Sequence, residues 1–197
     1  MKRDIIELHR RAVRDFENRV GSVGTEAWNR PTPCTDWDVR ALVNHVVGED
    51  LWTIPLLEGQ TIAQVGDVFD GDLLGERPHH AAREAMDAAV TAFAEPGVLD
   101  RTVHLSFGDT PAGEYAWQLF ADHLVHGWDL AVATDGDTRL DPELVDACAE
   151  WFEPIEDLYR KAGATGDRPD LPAGADAQTR LLAAFGRDSR WASPDGG

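Results

Sequence analysis

Basic residues and cysteines are scarce in this 197-residue sequence. Lys and Arg total 18 against 36 Asp and Glu, a formal net charge of -18, and only Lys2 and Lys161 are lysines. Neutralising phosphates needs a basic face, so nucleic acid is excluded as a partner and an anionic membrane surface is disfavoured. The two cysteines, Cys34 and Cys148, lie far apart and form no CxxC. That rules out a disulfide framework and a cysteine zinc site. No apolar run approaches the ~18 residues of a membrane span. Met1-Lys2-Arg3-Asp4 opens directly into an amphipathic pattern rather than an apolar leader segment, so the expectation is a cytoplasmic chain without a signal peptide. Internal repeats, a glycine phosphate loop and a Gly-x-Ser-x-Gly elbow are also missing from the sequence.

What is present is a folding sequence. Hydrophobic residues make up 43% and there are seven Trp, too much apolar content for general disorder. The length suits one domain with a substantial core. Apolar residues at helical spacing, from Ile5 through Phe16 to Val20, predict a helix over 3–20. Thr35-Asp36-Trp37-Asp38 reads as a capping box, with Thr35 at the N-cap and Asp38 reaching back. The helix it starts buries Val39, Leu42, Val43, Val46 and Val47, and runs to Trp52 with Pro55 as its limit. Residues 58–78, rich in Gly and Asp, read as a long loop of the kind that often serves a site. Further helices are expected over 79–94, 114–134, 141–160 and 176–185, with a short extended segment at 102–107. The helix over 114–134 is apolar on two sides and is therefore expected at the centre. The fold class is all-α, most simply a four-helix bundle with additional C-terminal helices. The bundle should occupy 1–162, with 163–197 a linker, short helix and loose tail packing on the same domain.

Two helices place histidines where chemistry can occur. Asp122 and His126 are i and i+4, and His123 and His126 are i and i+3, so either pair points one way and can chelate one ion. Imidazole nitrogen and carboxylate oxygen suit zinc or a similar divalent metal. His45 lies at the edge of the buried stripe of its own helix, where a bundle would let it meet such a pair. Against this, Gln118, Asp122, His126 and Asp129 read equally as a solvated stripe, and His45 as a boundary histidine. Cys34 is a candidate activated thiol, weighed against a buried small residue at a helix start. His79 and His80 read as solvated, and Trp117 and Trp128 as core.

Two segments carry a family resemblance. Pro31-Thr32-Pro33-Cys34-Thr35-Asp36-Trp37-Asp38-Val39-Arg40-Ala41-Leu42-Val43-Asn44-His45-Val46-Val47-Gly48 and Asp122-His123-Leu124-Val125-His126-Gly127-Trp128-Asp129-Leu130-Ala131 resemble signatures of the DinB/YfiT-like metal-binding superfamily. The match is to the branch named for the N-terminal domain of mycothiol-dependent maleylpyruvate isomerase. The resemblance spans roughly residues 3–186. It implies an up-down-down-up four-helix bundle holding a divalent metal on His45, Asp122 and His126. The isomerase carries Glu where this sequence has Asp122, which makes His123 the alternative ligand. Zinc is the first expectation for the ion, with nickel or another metal next.

The resemblance further implies low-molecular-weight thiol chemistry, in which a metal-activated thiol attacks a small electrophilic substrate. No arginine clamp for maleylpyruvate and no long C-terminal domain are expected in this chain. Glu49 is a candidate base or supporting group, and the 58–78 loop a cover. The rival readings are a non-catalytic metal- or ligand-binding bundle and a structural protein without metal. A monomer or homodimer is expected.

Overall fold

The computed structural model describes residues 3–193, so the expected loose tail beyond Ser193 lies outside the described residues. Four long helices form the body: α1 (Ile5–Gly21), α2 (Val39–Leu57), α4 (Pro78–Phe93) and α5 (Ala112–Ala133). A short α3 (Ile62–Val65) lies in the connection between α2 and α4, and a hairpin of β1 (Thr102–Leu105) and β2 (Gly108–Pro111) precedes α5. The hairpin is antiparallel, with Thr102 opposite Pro111 and Leu105 opposite Gly108. Three helices follow: α6 (Pro142–Phe152), α7 (Glu156–Lys161) and α8 (Ala177–Ala184). The all-α expectation holds. Among the described residues no helix is long and apolar enough to cross a membrane.

Side-chain neighbours give the course of the bundle. On α1 and α5, His9 meets His123 and Arg19 lies against Gly127, so these helices run parallel. On α1 and α4, His9 meets Phe93 and Glu17 meets Arg83, so they are antiparallel. On α2 and α5, His45 meets His126 and Thr53 meets Tyr115, again antiparallel. The result is up-down-down-up, with the 58–77 connection crossing from α2 to α4.

Each long helix buries the stripe its sequence spells out. On α1, Ile5, Leu8, Ala12, Val13, Phe16 and Val20 are buried, and Asp4 caps the helix by accepting from the Ile6 and Glu7 amides. Fully burying a Leu, Val or Phe contributes about 1.5–3 kcal/mol relative to exposure, so this face alone anchors α1. Helix α5 is buried on nearly every side and is the central element, as its two apolar faces require. The apolar interior divides into two clusters. One gathers Leu8, Leu56, Leu119, Leu144, Phe152 and Leu182. The other gathers Phe16, Leu42, Val46, Met86 and Leu130. On α2 the polar residues Asp50 and Thr53, both fully buried, fall between the two.

Local expectations are corrected at four places. The N-cap of α2 is Asp38, not Thr35: the Asp38 carboxylate accepts from Ala41 N at 2.8 Å. Thr35 is exposed, because the bridge between Pro31 and Asp38 keeps the chain out of the helix until Val39. Helix α2 runs past Trp52 and carries Pro55 in its last turn. The single helix expected over 141–160 is two, α6 and α7, divided around Pro154, which has no N–H to continue the ladder. The 58–78 segment is an ordered crossover rather than a plain loop. Thr61 and Gln64 form a capping box at α3. Arg40 binds Asp72, Asn44 binds Gly71 and Leu73, and Trp52 packs on Phe69. These contacts follow the Arg40-Asn44-Gly48-Trp52 stripe of α2, about 100° round the helix from His45.

Candidate metal centre

The site forms where the first half of α2 faces the second half of α5. His45 Nε2 lies 3.6 Å from Asp122 Oδ2, and His126 Nε2 lies 3.3 Å from Asp122 Oδ1. The two imidazole rings meet edge to face, with centroids 5.2 Å apart. One donor atom from each of His45, Asp122 and His126 falls within 4.8 Å of the other two. Two ligands at ordinary zinc distances on a tetrahedral ion stand about 3.3 Å apart, so the observed spacings suit a shared cation. The His45 and Asp122 side chains are 29% and 27% exposed and that of His126 is 7% exposed, so the group is open on one edge and closed behind.

The closed side orients His126. Its Nδ1 lies 3.0 Å from Asp129 Oδ2, and Asp129 is fully buried. An Nδ1–H donated to that carboxylate leaves Nε2 free to face Asp122, the arrangement that metal-binding histidines use. Asp129 is in turn held by Arg187, whose Nη2 donates to Oδ2 at 2.9 Å. The same guanidinium lies 3.3 Å from Cys34 Sγ, and the Cys34 thiol donates to Asp129 at 3.4 Å. Cys34, His126 and Asp129 are also close enough to hold an ion. The arginine cation already occupies that side, so an added cation belongs on the Nε2 side. Trp37 forms one wall, tilted over His45 at 4.7 Å and over His126 at 5.8 Å between ring centroids. Thr32 fixes this wall by donating to the Trp37 carbonyl and accepting from the Cys34 amide.

The electrostatics match the geometry. Burial opposes charge on Asp122, but His126 and His45 outweigh it and hold the carboxyl well below the usual range. Burial likewise opposes charge on His126, and Asp122 overcomes it, raising the imidazole well above its ordinary value. Without a metal, a proton therefore stands between His126 and Asp122. Asp122 Oδ2 is buried and has no hydrogen-bond partner among the described residues. Such an atom is costly unless something binds it, by about 1–3 kcal/mol for a neutral group and more for a charged one. Glu49, one turn beyond His45, is raised above the ordinary carboxylate value by burial and then by the charge of Asp122.

The expected residues fall out in a definite order. His45, Asp122 and His126 come together. His123 does not join them. Its Nδ1 donates to the Leu119 carbonyl at 2.8 Å and its Nε2 faces Asp50 Oδ2 at 3.2 Å, inside the bundle. Asp129, read as part of a solvated stripe, is instead buried under Arg187. His79 is exposed, as expected, yet its Nε2 bonds the Val23 carbonyl at 3.1 Å and its ring packs on Trp28. Trp128 is core, while Trp117 is only partly buried and stacks on Trp151. Trp37, Asp129 and Arg187 went unrecognised as site residues. Asp129 is i+3 from His126 and was findable by phase. Arg187 carries no local signal, because it arrives from a distant segment.

Two uncharacterized proteins of Mycobacterium tuberculosis, from strains CDC 1551 / Oshkosh and ATCC 25618 / H37Rv, are each 29% identical over 196 residues. Each alignment spans 95% of this chain and 100% of the relative. No solved structure matches. Residues 9–131, which run from within α1 through most of α5 and hold every residue of the site except Arg187, match the mycothiol maleylpyruvate isomerase N-terminal domain, and the chain belongs to that family within the DinB-like superfamily.

Proposed function

We propose that this protein is a divalent-metal-dependent thiol transferase or a related enzyme, joining a low-molecular-weight thiol to a small electrophile. His45, Asp122 and His126 would hold the metal, zinc before nickel. The observation that carries the reading is the convergence of these three groups on a half-open edge, with Asp129 aiming His126 and Asp122 Oδ2 without a hydrogen bond among the described residues. When bound, such an ion supplies Lewis acidity, which makes a thiol more acidic near neutral pH. The chain's own residues do the rest. Trp37 walls the site and keeps water from one side of the imidazoles. Glu49, with its raised value, sits beside Asp122 as a group able to take or return the thiol proton. Arg187 keeps Asp129 ionised, and Asp129 keeps His126 in register. The family name supports mycothiol as the thiol.

The test is a thiol-conjugation assay with mycothiol over a panel of electrophiles, on zinc- and nickel-loaded protein, with and without chelator. Turnover should appear with metal, vanish with chelator and be missing in His126→Ala. Retention below about 0.2 ion per chain would sink the metal site, since a real site loads. Full metal without turnover on any electrophile would favour a binding protein over an enzyme.

A further inference from the structure

A second group of ligating side chains lies deeper in the bundle and shares no residue with the first. His9 on α1, Asp50 on α2 and His123 on α5 are 1%, 0% and 1% exposed. One donor atom of each lies within 4.8 Å of the other two. Their polar atoms are incompletely satisfied: among the described residues, His9 Nε2 and Asp50 Oδ1 are buried without a hydrogen-bond partner. Phe93 packs edge to face with His9, Phe16 does so with His123, and the two imidazoles meet edge to face at 5.6 Å.

The tautomer of His123 sharpens the case. A carbonyl only accepts, so the 2.8 Å contact with Leu119 O puts a proton on Nδ1. Nε2 of a neutral His123 then presents a lone pair to the Asp50 carboxylate at 3.2 Å, acceptor against acceptor. A cation must stand between them. A proton would satisfy this pair alone and would leave both unpartnered atoms as they are. A divalent ion can draw on all three side chains at once. The 3.2 Å separation is close to the ~3.3 Å between two ligands of a tetrahedral zinc.

We infer that His9, Asp50 and His123 form a buried divalent-cation site, separate from the His45 centre, that ties α1, α2 and α5 together. Two imidazole nitrogens and a carboxylate suit zinc or cobalt(II). All three side chains are closed from solvent, which makes it a structural site rather than a second reaction centre.

The decisive experiment uses the full chain, loaded with zinc or with cadmium-113 and gel-filtered to remove loosely held ions. Zinc analysis should give two ions per chain and cadmium-113 NMR two resonances. His126→Ala should lose one of them, and His9→Phe and Asp50→Asn should each lose the other. One ion in the wild type, absent from His126→Ala and retained by His9→Phe, would overturn this site and leave the first intact. One ion lost in His9→Phe but kept by His126→Ala would support this site and sink the first. If His9→Phe does not fold, as judged by circular dichroism, the wild-type NMR still decides. A single resonance that leaves the His9 and His123 ring signals unmoved overturns the inference.

Discussion

His126 is the residue on which the candidate centre turns, because both of its ring nitrogens face carboxylates. Asp129 fixes the side that faces inward. Replacing it, Asp129→Asn, should weaken metal retention by about 10–100-fold, read by competition with a chromophoric chelator. The raised value of His126 gives a second prediction. In the metal-free protein this imidazole is protonated at neutral pH, so a cation must displace that proton. Affinity should rise with pH, by about tenfold per unit below the raised value, and level off above it. Calorimetry in buffers of different ionisation heat should read about one proton released per ion. The pairing of Asp122 with His126 was legible because i and i+4 share a helix face. His45 was legible at the edge of its buried stripe. Asp129 shares the phase but was hidden, since a carboxylate on a helix stripe looks solvated until the group that covers it is known. His123 was open as an alternative by sequence spacing and is removed only by the packing, which turns it toward Asp50.

Among the elements, α2 holds the most correction. Thr35-x-x-Asp38 has the form of a capping box, yet the cap is the Asp itself. Periodicity alone cannot see that the Val39 amide bonds Arg30 O and that Pro31 bridges to Asp38, which together hold residues 31–38 out of the helix. Asp38→Ala should therefore cost about 1 kcal/mol, while Thr35→Ala should stay within about 0.5 kcal/mol. Urea unfolding with an unchanged m-value checks both. The central place of α5 followed from its two apolar faces, and the helix starts at Asp141-Pro142 and Asp176 from their capping residues. The hairpin before α5 was half visible, since β1 alternates but Gly108-Asp109-Thr110-Pro111 reads as a turn rather than a second strand.

At the scale of the molecule, the segment after α5 closes the back of the site. Phe185, at the end of α8, stacks on Phe152 of α6 at 3.9 Å, and Arg187 follows into the buried contact with Asp129. Removing the cation alone, Arg187→Leu, leaves the buried Asp129 carboxylate to His126 and the Cys34 thiol and should destabilise the fold by about 1–3 kcal/mol. Adding Asp129→Leu should recover most of that loss in denaturant unfolding. The order of synthesis gives this contact a consequence in time. His126, the last of the three ligands, is synthesised roughly sixty residues before Arg187, an interval of about 3–12 s at ~5–20 residues per second. For those seconds Asp129 has His126 and Cys34 beside it but no guanidinium to meet. The carboxylate that orients His126 thus receives its arginine last, from a part of the chain outside the family match.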